Sequence, residues 1–320
     1  MAIEGKRIFV TGGAGFIASH LIERLADDNE VTLFDNYHRN AIEGTRLADH
    51  PHVRQVEGDV LDAGALAEAA QGHQVLVHAA AIAGVDLVRK SALTTMQVNM
   101  IGTYHALEAA ARLDGLERFV NFSTSEVFGT VTYKTAEDDV TKLGAVGEAR
   151  WTYAVSKLAG EHLCYAYHKK HGLPTVVVRP FNIYGPGQVG EGAIHVFITR
   201  ALRGQELQIH GDGDQIRSWC YIDDIVDGLL LCLESPAAVG HCFNIGNPKG
   251  TVTVYGLALA VQRVCGSHAP LVFVPKPYVD VELRIPNIDK ARDLLGYEPE
   301  VTLEDGLRRT ADWYRERMDG

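Results

Sequence analysis

Six short apolar runs punctuate the first 180 residues: Arg7–Val10, Val31–Phe34, Val53–Glu57, Val75–His78, Phe119–Ser123 and Thr175–Arg179. They are continuous rather than alternating, the pattern of strands covered on both faces. Ala/Leu-rich stretches with helical spacing lie between them, near Phe16–Ala26, Ala63–Ala70, Thr94–Leu113 and Tyr153–His171. Strand–helix repetition with short links predicts an α/β chain with a parallel, doubly wound sheet. After Arg179 the pattern changes. Gly, Pro and aromatic residues cluster in RPFNIYGPG at 179–187, and a helix follows near Ile194–Leu202. Strand-like pieces recur at Leu207–His210, Cys242–Ile245 and Leu271–Val274, before a last helix over Leu303–Met318. The expected organisation is a doubly wound domain over 1–180, rejoined by 221–246. A smaller α/β substrate domain, partly interleaved with it, covers 181–220 and 247–320.

Composition narrows the function. The 320 residues are 46% hydrophobic and carry a net charge of −11, with no Lys/Arg block. Binding to a phosphate backbone needs clustered positive charge, so no nucleic-acid partner is expected. The five cysteines are scattered and never spaced CxxC, which argues against a disulfide framework or a zinc site and fits a reducing cytoplasm. No metal is expected: His162, His168 and His171 share a helix, but no carboxylate or Cys completes a set. The N-terminus, MAIEGKRIFVTGG, enters a strand pattern at once, leaving no room for a signal peptide. No apolar run approaches the ~20 residues of a membrane span, so no membrane partner is expected.

The first strand runs into Thr11-Gly12-Gly13-Ala14-Gly15-Phe16-Ile17-Ala18, a Gly12-x-x-Gly15-x-x-Ala18 frame. Gly12 suits a tight turn, and Gly15 lets backbone approach a pyrophosphate. Ala18 takes the place of a third glycine, where helix must pack closely on strand. The N–H groups opening the next helix face such phosphates. A Gly-x-x-Gly pair alone is weak, expected about three times by chance at this glycine content. Its place between first strand and first helix gives it weight, as does Asp35 closing the second strand. A carboxylate there accepts hydrogen bonds from a ribose 2′-OH and repels a 2′-phosphate, which favours NAD over NADP. Arg39, close downstream, brings a positive charge that softens this discrimination.

Tyr-x-x-x-Lys occurs twice, at Tyr153/Lys157 and Tyr165/Lys169, against ~0.4 matches expected by chance. Both fall on one predicted helix. Ligands of a doubly wound sheet lie at the carboxyl ends of its strands, where a crossover helix begins. Tyr165 is about 18 Å further along the helix, so Tyr153/Lys157 is the candidate pair. A phenol with an ordinary pKa near 10 is a poor base at neutral pH. Lys157, one turn on, is expected to favour the phenolate.

Together these segments resemble the extended short-chain dehydrogenase/reductase family of NAD-dependent nucleotide-sugar epimerases, dehydratases and decarboxylases. The likeness spans essentially the whole chain. It rests on TGGAGFIAS, GDV at 58–60, HAAA at 78–81, VN at 98–99, STSEVFG at 123–129, the Tyr153/Lys157 pair, RPFNIYGPG, and IRSWCYIDD at 216–224. The resemblance implies a Rossmann fold. It assigns Gly12, Gly15, Phe16, Ile17, Asp35, Asn36, Asp59, Val60, Ala79, Ala80, Ala81, Asn99, Ser123, Tyr153 and Lys157 to the cofactor region, with Asp59 at the adenine and Lys157 on the nicotinamide ribose. It places Thr124, Asn182 and Arg217 at the substrate, with Arg217 clamping the diphosphate by its planar fork. It implies a homodimer formed through the helices near Thr94–Leu113 and Tyr153–His171. The substrate it implies is a nucleotide diphosphate sugar, UDP-linked by preference.

The resemblance also frames the reaction. Tyr153 takes a proton from a sugar hydroxyl as hydride leaves for the nicotinamide, and Thr124 hydrogen-bonds the same hydroxyl. Relatives that are dehydratases typically carry Asp-Glu where this chain has Ser125-Glu126. Thr-Ser-Glu, followed by Arg150-Trp151-Thr152-Tyr153, is the pattern of UDP-glucuronate decarboxylases. The expected catalytic set is therefore Tyr153, Lys157, Thr124, Ser125 and Glu126. Decarboxylation through a C4 ketone is the first reading. A 4-epimerase, a 4,6-dehydratase and an inactive NAD-binding sensor or interaction protein stay open behind it.

Overall fold

The computed structural model describes residues 3–190, 192–276 and 279–318. Seven strands form one sheet in the order Cys242–Ile245, Thr175–Pro180, Arg118–Phe122, Val75–His78, Arg7–Thr11, Glu30–Asp35, Val53–Glu57. Every pairing in it is parallel. The period-two alternation of strand side chains sends neighbours to opposite faces. Ile8 and Val10 join the core under the helices Phe16–Leu25 and Ile222–Glu234, while Phe9 faces the core under Ala63–Ala69 and Gly102–Ala110. Apolar demand on both faces is why these strands read as unbroken apolar runs. The Val53–Glu57 edge is largely exposed and correspondingly polar.

Strand order reverses between Arg7–Thr11 and Val75–His78, which opens a crevice at their carboxyl ends. The helix Ala149–His171 descends from that rim. It ends at Gly172, which adopts φ +68°, and its last turn carries His168, Lys169, Lys170 and His171, the charge placement a helix C-terminus favours. The helix begins four residues before the predicted start, because Trp151 is buried in its first turn.

A second sheet of four strands runs Thr251–Thr253, Ile216–Ser218, Leu283–Pro286, Val131–Thr135. None of the four is an apolar run. Two of them carry buried arginines, Arg217 and Arg284, where a core strand would carry aliphatic residues. The helices Ile222–Glu234 and Val254–Cys265 likewise lie outside the predicted elements. Another difference concerns the stretch expected as one helix over Thr94–Leu113. It is a helix Ala92–Met96, a π-helical turn Gln97–Ile101, and a helix Gly102–Ala110. The wide turn places Asn99 facing inward, fully buried.

Candidate active site

A cleft of about 760 Å³ follows the carboxyl rim of the sheet. At one end the strand Arg7–Thr11 turns through Gly12, whose φ is +68°. A Cβ there would stand 2.5 Å from the backbone nitrogen of Ala80, so only glycine fits the approach of the two loops. Gly15 caps the helix Phe16–Leu25 without a side-chain hydrogen bond, leaving the first N–H groups free for an anion. Phe16, Ile17, Asn36, Asp59, Val60, Ala79, Ala80 and Ala81 line the walls. Asp35 also lines the cleft, and accepts hydrogen bonds from the amides of Ala14 (2.9 Å) and Tyr37 (2.8 Å). Burial raises its pKa. Its carboxylate keeps lone pairs for a ribose hydroxyl. Glycine cradle, open helix N-terminus and terminal carboxylate fit a dinucleotide such as NAD.

At the other end, the strand Arg118–Phe122 leads into Ser123, Thr124, Ser125 and Glu126, all in the cleft wall. Thr124 Oγ1 accepts the amide of Glu126 (3.2 Å) and so caps the short 3₁₀ turn Ser125–Phe128. Tyr153, from the first turns of Ala149–His171, is hydrogen-bonded to Thr124 and lines the same wall. Burial pushes its phenol up to about 12; the Thr124 bond opposes this, the Glu126 charge adds to it, and Arg39 lowers it.

Lys157 Nζ, in the next turn, donates to the carbonyl of Phe122 (2.7 Å), and burial lowers its pKa to about 8. The second pair lies away from the cleft: Tyr165 is 59% exposed, with the Lys169 ammonium 5.5 Å from its ring centre.

Two predicted residues stand behind the wall rather than in it. Asn99 accepts from the amide of Ile82 (2.8 Å) and donates to the Ile82 carbonyl (3.1 Å), which fixes the wall segment without lining it. Arg217 is buried and held by Asp280 (3.1 Å) and the Val281 carbonyl. Burial lowers its pKa to about 10. Asn182 does line the cleft; it adopts φ +44° and donates to the Ser218 carbonyl (2.8 Å). The Ser123 hydroxyl donates to Glu161, which is paired with the buried Arg179 at 2.9 and 2.6 Å.

Sequence reasoning assigned no role to Arg150, Asp280 or Arg284. Arg284 Nη1 lies 2.7 Å from Glu126 Oε1, and Arg150 Nε lies 3.6 Å from Glu126 Oε2. Arg150 also pairs with Asp280 (2.9 Å), which in turn holds Arg217. Three guanidinium groups thus share two carboxylates, leaving one positive charge in excess. Burial alone would raise the Glu126 pKa, but Arg284 and Arg150 overcome it and hold the carboxyl below its ordinary 4.5. Only Arg150 carried a signal, in Arg-Trp-x-Tyr; Arg284 sits in a four-residue strand with no motif.

The fold and cleft are those of a dinucleotide-dependent enzyme. The model of the NAD dependent epimerase/dehydratase family matches residues 8–246. The chain is 34% identical over 322 residues to a UDP-N-acetyl-alpha-D-glucosaminuronate decarboxylase of Bacillus cytotoxicus, covering 97% of this chain and 98% of that one. It superposes on UDP-glucuronic acid 4-epimerase from Bacillus cereus, solved with UDP-glucuronic acid and NAD, with a TM-score of 0.88 at 32% identity, covering 97% and 99%. A dTDP-glucose 4,6-dehydratase from Streptomyces venezuelae, solved with NAD, gives 0.87 at 32% identity, covering 98% of each chain. The chain therefore belongs to the NAD-dependent epimerase/dehydratase family of nucleotide-sugar enzymes, and its cofactor is NAD.

Proposed function

We propose that the protein decarboxylates a UDP-linked uronic acid, UDP-glucuronate or a close relative, through a C4-keto sugar. NAD held at the glycine loop would supply the oxidation, accepting hydride from C4 and returning it. Tyr153 takes the C4 hydroxyl proton, the positive charges of Lys157 and of the oxidised nicotinamide offsetting the burial that raises its phenol, and Thr124 holds both the phenol and that hydroxyl. The ketone stands β to the C5 carboxylate, so loss of CO₂ leaves an enolate. Tyr153 and Thr124 stabilise its oxygen by hydrogen bonding. A solvent-exchangeable proton then returns to C5. Lys157 fixes the strand end at Phe122 and contributes positive charge, while Ser125 borders the sugar. Asn182 orients the diphosphate end, and Arg217 holds the loop around Asp280.

The observation that carries this reading is the Glu126 carboxylate pinned by Arg284 and Arg150 beside Tyr153. A carboxyl held ionised cannot deliver the proton that a 4,6-dehydratase must give to a departing C6 hydroxyl. Ser125 is no substitute acid. The surplus positive charge suits an anionic ligand, the uronate carboxylate or the diphosphate beside it. A uronate 4-epimerase is the second reading, favoured by the same surplus charge; release of CO₂ from UDP-glucuronate separates the two. Formation of the C4 epimer without CO₂ would support the epimerase.

The same proposal reads 1–180 with 221–246 as the NAD-binding part, and 181–220 with 247–320 as the nucleotide-sugar part. It also includes a homodimer. An apolar groove lined by Met100, Ile101, Tyr104, Ala159, His162 and Leu163 runs between Gly102–Ala110 and Ala149–His171, and Leu93 is 73% exposed nearby. Light scattering on the purified chain would give twice the 34.9 kDa chain mass; a monomeric mass would refute the dimer. Free thiols at all five cysteines support a reducing cytoplasm, and no helix among the described residues is long and apolar enough to cross a membrane.

A further inference from the structure

Behind the cleft lies a chain of hydrogen bonds whose side chains, Thr11, His78, Thr103, Asn99 and Ser156, do not themselves line it. The amide of Ala80, in the cleft wall, approaches Thr11 Oγ1 at 3.5 Å. Thr11 Oγ1 meets His78 Nδ1 at 2.8 Å, and His78 Nε2 meets Thr103 Oγ1 at 3.1 Å. Thr103 donates onward to the carbonyl of Asn99 (2.6 Å). The Asn99 amide then holds Ile82 at both of its backbone groups and donates to Ser156 Oγ (3.1 Å), which donates to the carbonyl of Tyr153 (2.7 Å). Thr11, His78, Thr103, Asn99 and Ser156 are all essentially inaccessible to solvent.

The bonds admit one proton order. Thr103 spends its hydroxyl hydrogen on Asn99, so toward His78 it is an acceptor and Nε2 carries the hydrogen. Nδ1 is then the acceptor, and the Thr11 hydroxyl donates to it. We propose that His78 is a positioning residue. Through this chain it locks the cofactor-facing wall Ala79–Ile82 to the helix turn that carries Tyr153, and so sets the base against the nicotinamide end of the cleft. The π-helical turn at Gln97–Ile101 serves the same end, since it directs Asn99 inward to both partners.

Burial holds the imidazole pKa at about 3, with the Lys157 charge acting in the same direction. The ring therefore stays neutral through the working range, and the proton order does not titrate. Errors of about 1 Å in placing reacting groups can cost on the order of 100-fold in rate, so a device of this kind has a measurable effect without touching substrate.

This inference rests on Tyr153 being the base, and its test includes a readout that does not. In His78→Leu both ring nitrogens are lost. The account expects kcat to fall on the order of 10- to 100-fold, with KM for the nucleotide sugar little changed, and NAD to be lost faster on gel filtration. His78→Gln, which can present one acceptor and one donor, should recover most of both. Ser156→Ala cuts only the last link; it should lower kcat while leaving NAD retention and thermal stability near those of the parent. His78→Leu that melts earlier but keeps parental kcat and NAD retention would overturn the proposal and leave His78 a packing residue. If Tyr153→Phe remained fully active, the base reading would fall, while the NAD-retention arm would still decide whether His78 holds the wall.

Discussion

The two ends of the cleft are built in different ways. The dinucleotide end is made mostly of backbone: Gly12, the open amides at the start of Phe16–Leu25, and Asp35 held by two amides within one β-α-β stretch. The sugar end is made of side-chain charge. Glu126, Arg150, Arg217, Asp280 and Arg284 come from four stretches of the chain and meet there, Arg217 and Arg284 buried and the other three partly buried. The first end binds what every member of the family binds, so local geometry suffices. The second faces the sugar in the proposed reading, and its charge balance is what that reading uses to choose among sugars.

The comparison can be broken by substitution, starting with the largest effect. Tyr153→Phe removes the proposed proton acceptor. Turnover should fall on the order of 10²–10⁴-fold, while NAD retained through purification, measured by absorbance after denaturation, stays at the parental ratio. A parental rate would remove Tyr153 from the mechanism.

Glu126→Gln tests the charged end through stability. It leaves Arg284 buried without its partner, a loss of about 3–5 kcal/mol at neutral pH by analogy with other broken buried pairs. The Glu126 pKa is lowered by folding, so its contribution is present above the unfolded value near 4.5. It disappears as pH falls through the lower folded value. Denaturant melts of parent and variant should therefore differ at pH 7 and converge in acid. A gap that persists unchanged below pH 3 would mean that Glu126 contributes by shape rather than by charge.

Asp35→Ala tests the backbone end. Fluorescence titration should show the preference for NAD over NADP shrinking by about tenfold, in line with loss of one charged hydrogen bond of ~1.5–3 kcal/mol, with little change in nucleotide-sugar binding. Parent protein that binds NADP as tightly as NAD would remove Asp35 from that role. The smallest effect expected is that of Tyr165→Phe, within about 0.5 kcal/mol of parental stability and at parental rate. Damage equal to that of Tyr153→Phe would mean that the second Tyr/Lys pair matters.

The difference between the ends also explains what could be read in advance. The parallel sheet was legible because its strands, the exposed Val53–Glu57 edge apart, are largely apolar on both faces and helices lie between them in sequence. The glycine loop, Asp35 and Tyr153 were legible because their geometry is local, a turn or a single helix face. The strands Ile216–Ser218 and Leu283–Pro286 were not, since they exchange apolar residues for Arg217 and Arg284 and pair across long sequence separations. Position 126 could be picked out as a carboxylate, but its ionisation depends on Arg284, 158 residues away. The one-helix reading of Thr94–Leu113 failed because the inward turn of Asn99 answers to Ile82 and Ser156 on other segments.

The proposed activity of this cleft is conversion of a uronate by C4 oxidation and loss of CO₂. The most direct measurement is incubation of the NAD-loaded protein with UDP-glucuronate in heavy water, followed by mass spectrometry and NMR of the nucleotide sugar. The account predicts CO₂, a UDP-pentose carrying one deuterium at C5, and no stoichiometric consumption of added NAD. An unlabelled C4 epimer that retains its carboxylate would contradict it.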